Sequence, residues 1–122
     1  MKEEYFKEYS PALERDMEFK VYGHTGKPVL VFPPGSGRFW HYEYHGMVDV
    51  CRPYIDDGRI QLFCVDGIDE YTWDDKDGNP YDRIRLHERY FNYVTEEFVP
   101  RLKEISRDAN GGKEIGIMAT GC

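Results

Sequence analysis

Cysteine is scarce in this sequence: Cys51, Cys64 and Cys122 are the only three in 122 residues. An odd number, widely spaced and with no CxxC pair, supports neither a disulfide framework nor a zinc site. A cytoplasmic protein with free thiols is the simplest account. Long apolar runs are missing as well. None approaches the ~20 residues that cross a bilayer, and Met1-Lys2-Glu3-Glu4 leads into no hydrophobic signal segment. Positive charge is in deficit, with 16 Lys and Arg against 23 Asp and Glu and a net charge of -7. Phosphate backbones and anionic membrane surfaces repel such a chain, so neither nucleic acid nor membrane is an expected partner. Repeats and low-complexity stretches are lacking too. What remains is a globular composition, 40% apolar and 32% charged, long enough for one domain and one core. Aromatics reach 16%, and core packing and pocket lining both draw on them.

The patterning alternates between strand and helix. Met17, Phe19 and Val21 alternate with Glu18, Lys20 and Tyr22, which predicts a strand with one buried and one wet face. Residues near Tyr5 to Tyr9 are placed to pair with it. Val29-Leu30-Val31-Phe32 is apolar without alternation, as in a parallel sheet covered on both faces. Trp40, Tyr44, Met47, Val48, Cys51, Tyr54 and Ile55 fall on one helical stripe, with an interruption expected at Pro53. A second buried strand is expected over Ile60 to Val65. The strongest helical pattern follows, with Ile84, His87, Phe91, Val94, Phe98, Leu102 and Ile105 on one stripe and a bend expected at Pro100. Asn110-Gly111-Gly112 ends it, and Ile115 to Ala119 predicts a third buried strand. Strand, helix, strand, helix, strand implies an α/β domain with a mostly parallel sheet and an antiparallel entry.

Sites in open parallel sheets form beyond the carboxyl ends of the strands. Pro33-Pro34-Gly35-Ser36-Gly37-Arg38 is a glycine-rich turn in such a place. It lacks the third glycine of a dinucleotide fingerprint, because Trp40 stands there, and it lacks Gly-Lys-Ser/Thr. A phosphate cradle, an oxyanion hole made of backbone N–H groups and a plain structural loop all fit these residues. The last predicted strand runs into Thr120-Gly121-Cys122, and Gly-x is the first half of a G-x-S-x-G nucleophile elbow.

The sequence resembles the esterase D-like branch of the α/β-hydrolases. The resemblance rests on Met17 to Gly23, Lys27 to Pro33, Gln61 to Asp66, the helix from Tyr93 to Pro100, and Ala119-Thr120-Gly121-Cys122, in the family's order. It implies an α/β-hydrolase fold, with residues 1–122 as the N-terminal portion of a single domain. It implies a serine carboxylic-ester hydrolase working through an acyl-serine, with a Ser-Asp/Glu-His triad in that chain order. Carried onto this chain, the oxyanion hole is Gly35, Ser36, Gly37 and Arg38, with the N–H of Gly37 or Arg38 as the favoured donor. Pro33-Pro34 stands where lipase-like relatives begin with His-Gly. Trp40, Asp66 and Trp73 are candidate pocket residues, although Asp66 also fits a turn cap and Trp73 surface packing. The nucleophile is expected immediately after Cys122, so this chain alone lacks the triad. The expected partners are a small ester and the C-terminal remainder of the protein, covalently linked or as a second chain. The alternative is a non-catalytic α/β-hydrolase-like fragment or binding module without the nucleophile.

Other signals point elsewhere. His41 and His45 are one turn apart but lack the H-E-x-x-H arrangement. Asp75-x-Asp77-x-Asn79 has Pro80 where a calcium loop needs glycine, and Leu86 where it needs a bidentate Glu. No metal and no cofactor is expected. Cys51 and Cys64 read as small core residues.

Overall fold

The computed structural model describes all residues except Glu70, Tyr71, Trp73, Asp74, Lys76 and Cys122. Its elements are β1 (Glu3–Ser10), β2 (Arg15–Tyr22), β3 (Lys27–Val31), α1 (His41–Tyr44), α2 (Met47–Asp56), β4 (Ile60–Val65), α3 (Pro80–Asn92), a π-helical turn (Tyr93–Phe98), α4 (Val99–Ala109) and β5 (Met118–Thr120). The strands form one sheet in the order β1-β2-β4-β3-β5. β1 pairs antiparallel with β2, and β2 antiparallel with β4. β3 runs parallel to both β4 and β5. The sheet is therefore evenly mixed, whereas the sequence pattern predicts a mostly parallel one. The antiparallel share grows because β2 pairs with β4 as well as with β1.

Alternation along the strands divides the core into two layers. Met17, Phe19, Val21, Leu30, Phe63 and Val65 pack against Tyr93, Val94, Phe98 and Leu102. On the opposite face Tyr22, Val29, Val31, Leu62 and Cys64 pack against Val48 and Ile55 of α2. Runs such as Val29-Leu30-Val31 are apolar throughout because each face has its own helical cover. The face of β2 expected to be wet is not bare. Lys20 Nζ donates to Glu43 Oε2 of α1 at 3.1 Å, and the Tyr22 hydroxyl donates to the same carboxylate.

Three expectations change. The stripe from Trp40 to Ile55 buries only Val48 and Ile55, while Tyr44, Met47 and Tyr54 are exposed. Helix α2 runs through Pro53, and the break falls at Gly46, whose φ of 82° lies in the left-handed region. The seven-residue stripe from Ile84 to Ile105 is split as well. Ile84 and Phe91 are exposed, and Leu86 and Tyr90 face the core instead. The π-helical turn supplies the reason. Its wider spiral adds about one residue to the turn, so the buried face is out of phase on its two sides. The turn lies directly before Pro100, where the widened spiral absorbs the missing N–H and the ring clash expected to bend the helix. Finally, β5 spans only Met118–Thr120 and is exposed rather than buried. It pairs with β3 along one side, and no described strand pairs with its other side.

Candidate functional site

From β3 the chain crosses to β4 on one side, then returns past β3 to β5 on the other. Such a reversal, beyond the carboxyl ends of β3 and β5, is where ligands bind in open α/β sheets. The Phe32 N–H donates to the Thr120 carbonyl at 2.9 Å, so the two strand ends are fastened together at this edge. A methyl group added to Gly121 would meet Phe32 Cβ at 3.6 Å, an ordinary contact. The glycine-rich loop and the end of β5 are thus neighbours. Cys122 and Trp73 lie outside the described residues.

The loop itself is a tight turn closed by Gly37 N–H donating to the Pro34 carbonyl at 2.7 Å. Its third residue, Ser36, takes φ = 56°, a conformation that usually calls for glycine or asparagine. Gly37 is required by crowding: a Cβ there would sit 2.7 Å from both Pro34 Cδ and the Pro34 oxygen. Gly35 is different, since a Cβ there would meet nothing within 4 Å. The backbone at Gly35 therefore faces open space that a ligand could occupy.

Arg38 joins the loop to the end of β4. Its Nε donates to Asp66 Oδ1 at 2.7 Å, and one terminal nitrogen donates to Asp66 Oδ2 at 3.1 Å and to Glu18 Oε1 at 3.0 Å. Asp66 is 3% exposed and also accepts the backbone N–H groups of Phe39 at 3.2 Å and Gly67 at 3.1 Å. Its carbonyl accepts the Tyr90 hydroxyl at 2.5 Å. On the far side of Glu18, the Tyr5 hydroxyl donates to the second carboxylate oxygen. Of the two readings the sequence offers for Asp66, the geometry matches the turn cap. The carboxylate is saturated by donors of the protein itself, an arrangement that positions the loop.

Both favoured oxyanion donors have internal partners in this conformation. Gly37 N–H closes the turn, and Arg38 N–H donates to His41 Nδ1 at 2.6 Å, while His41 N–H donates back to the Arg38 carbonyl at 3.0 Å. Sequence reasoning assigns His41 no part in the loop, although its place three residues after Arg38 is the spacing such a reciprocal cap uses. Trp40 stacks on the His41 ring at 3.9 Å and meets Tyr44 edge-on at 5.9 Å. It is 42% exposed, standing on the protein surface beside the loop. Thr72, next to Trp73 in sequence, lines a small cavity of about 140 Å³ with Pro80, Arg83 and Ile84. Among the described residues no three His, Cys, Asp or Glu side chains converge to hold a metal ion. Nor is any helix among them long and apolar enough to cross a membrane.

Comparison with known proteins bears on the fold. No protein-family model matches the chain, and no curated protein does. Among solved structures it is similar to S-formylglutathione hydrolase (FrmB) from Staphylococcus aureus, with a TM-score of 0.60 at 10% identity. That likeness covers 98% of this chain and 48% of the hydrolase. An uncharacterised protein from Capnocytophaga ochracea is similar at a TM-score of 0.54 and 18% identity, over 97% of this chain and 33% of that one. The chain therefore spans about half the length of the first and a third of the second. At such identities the likeness is one of fold, an α/β-hydrolase-like arrangement.

Proposed function

We propose that this chain forms the oxyanion-hole side of a serine carboxylic-ester hydrolase. One observation carries the reading. The turn from Pro33 to Arg38 and the end of β5 at Thr120-Gly121 follow adjacent strand ends on one edge of the sheet, joined by the Phe32–Thr120 hydrogen bond. A hydrolase of this kind needs its N–H donors and its nucleophile elbow there. The fold shared with half of an S-formylglutathione hydrolase supports the same reading.

The triad comes from polypeptide beyond Gly121-Cys122, in the same chain or a second one. The serine oxygen attacks the ester carbonyl carbon, and its proton passes to the histidine. Collapse of the tetrahedral intermediate expels the alcohol, which takes that proton. Water then cleaves the acyl-serine by the same route. The negative charge that develops on the carbonyl oxygen needs N–H donors already aimed at it. Arg38 N–H is the donor we favour. Its present acceptor is a side-chain nitrogen that a ring rotation withdraws, whereas the Gly37 bond is part of the turn. The ion pairs of Arg38 with Asp66 and Glu18 hold the residue in place during that exchange. The substrate is a small ester or thioester, and the neighbour's name states a thioester class.

The engagement of both N–H groups favours one second reading, a binding module that keeps the fold and does no chemistry. Intact mass after treatment of the full polypeptide with a fluorophosphonate separates the two. A single adduct on a serine supports the hydrolase. A full-length, folded protein that takes up no adduct overturns it in favour of the binding module.

A further inference from the structure

His41 opens the short helix α1 and meets the glycine-rich loop through both its backbone and its ring. Its N–H donates to the Arg38 carbonyl at 3.0 Å, and its Nδ1 accepts the Arg38 N–H at 2.6 Å. A ring nitrogen accepts only through a lone pair, so Nδ1 carries no proton here and the neutral ring bears its proton on Nε2. One added proton turns Nδ1 from acceptor into donor. It then faces the Arg38 N–H donor to donor, and the hydrogen bond is lost. The Pro34 carbonyl that takes the Gly37 N–H cannot be switched in this way.

The surroundings leave both states of the ring within reach. Imidazole is the side chain whose ordinary titration falls between about pH 5 and 8. The His41 ring is half-buried, with Trp40 stacked on it at 3.9 Å and Tyr44 edge-on at 6.5 Å. The exposed ring of His45, one turn on, stacks at 6.0 Å and is the nearest group that titrates in the same range. The charges on the neighbouring elements are engaged with one another. The Arg38 guanidinium is paired with Asp66 and Glu18, and Glu43 is turned to Lys20 and Tyr22. Among the described residues no carboxylate forms an ion pair with His41. No ion pair therefore locks the proton on, and the Trp40 face gives the protonated ring a cation–π contact.

We propose that His41 is a positioning residue whose protonation switches the Arg38 N–H. While the ring is neutral, its nitrogen holds the N–H within the loop. A proton taken from solvent onto Nδ1 ends that hold, and the nitrogen no longer competes with a ligand oxygen for the donor. The switch itself stands on the Arg38–His41 contact. Its effect on acylation rests on the reading of Arg38 as the oxyanion donor.

Two measurements on the full polypeptide test these two parts separately. In the first, NMR follows the Arg38 amide and the His41 ring from about pH 8 to pH 5. The Arg38 amide proton should move upfield, as loss of its hydrogen bond requires, with the midpoint of the His41 ring. His45→Gln removes the neighbouring titration and should leave the two midpoints matched. In the second, fluorophosphonate labelling rates of wild type and His41→Phe are compared over the same range. Protonation of the triad histidine slows both proteins alike and cancels in the ratio of their rates. The variant should label several-fold faster at the alkaline end, and the two rates should converge at the acid end. An Arg38 amide that does not move with the His41 ring overturns the proposal, and so does a rate ratio that stays constant with pH. Failure of both proteins to label at any pH, with the amide still following the ring, overturns the esterase reading instead and leaves the switch standing.

Discussion

Arg38 Nε lies 2.7 Å from Asp66 Oδ1, and through that contact the glycine-rich loop after β3 is fixed to the end of β4. The two residues are 28 positions apart, on consecutive parallel strands whose carboxyl ends adjoin. Asp66 meets four donors of the loop region, including the N–H of Phe39 and its own neighbour Gly67. A buried carboxylate is tolerable only because its oxygens are paired in this way.

Removing that carboxylate should therefore be costly. Asp66→Ala leaves two backbone N–H groups without their acceptor and strips Arg38 of its main partner. Loss of one member of a buried pair costs 3–5 kcal/mol, and Arg38 is 33% exposed, so solvent screens part of the loss. A destabilisation of about 3 kcal/mol is expected in urea unfolding. Asp66→Asn keeps one acceptor oxygen and should lose less. A change below about 1 kcal/mol for the alanine variant would show that the clamp is dispensable.

The two glycines of the loop should respond differently to a methyl group. Gly37→Ala drives Cβ to 2.7 Å from the Pro34 oxygen, and the turn must open. About 2 kcal/mol of destabilisation is expected, as for other overpacked positions. Gly35→Ala meets nothing within 4 Å, and reduced freedom of the unfolded chain should leave it neutral or slightly more stable. Thermal melts of the two variants check the contrast, and equal losses would contradict it.

Alkaline pH should unfold the protein through groups that the fold keeps protonated. Burial pushes the Cys64 thiol up to about 12, and burial likewise raises the phenols of Tyr22, Tyr90 and Tyr93 above the ordinary tyrosine value of 10. A hydrogen bond to Glu43 adds to the effect at Tyr22. Between the ordinary and the raised values the native state holds protons that the unfolded state has released. Stability must then fall as pH rises through this range, beginning near 9 for the thiol and 10 for the phenols. Absorbance at tyrosinate wavelengths should rise in two phases, the second coinciding with loss of helical circular dichroism. One smooth phase with the fold intact would contradict it.

The sequence makes some of this legible and hides the rest for identifiable reasons. Strands β3 and β4 are plain because Val29 to Val31 and Leu62 to Val65 need cover on both faces, and only a central position supplies it. The place of the loop is plain because glycines follow a buried strand. The register of α3 is not, because Ile84 and Phe91 fit a straight helix and the π-helical turn before Pro100 breaks the phase. The state of the loop is hidden for another reason. It depends on which acceptor takes the Arg38 N–H, and that acceptor is positioned by α1, itself tied down by Glu43 to Lys20 and Tyr22 more than twenty residues away. Local patterns carry no record of such contacts.

That dependence gives the sharpest test of the candidate site. His41→Phe keeps a ring to stack on Trp40 and removes the nitrogen that accepts the Arg38 N–H. The loop keeps its ion pairs to Asp66 and Glu18, and the Arg38 N–H loses the His41 nitrogen as its acceptor. If Arg38 supplies the oxyanion donor, the His41 nitrogen no longer competes with the substrate carbonyl, and fluorophosphonate labelling of the full polypeptide should speed up several-fold. His41→Asn, which can offer an oxygen acceptor at the same point, should return the rate toward wild type. The gain must appear in the acylation rate and not in thermal stability, which should fall by about 1 kcal/mol through the lost hydrogen bond. A His41→Phe protein that melts lower and labels at the wild-type rate would mean that the Arg38 N–H serves the loop alone. The donor would then have to be sought at the open backbone of Gly35, where added bulk meets nothing within 4 Å.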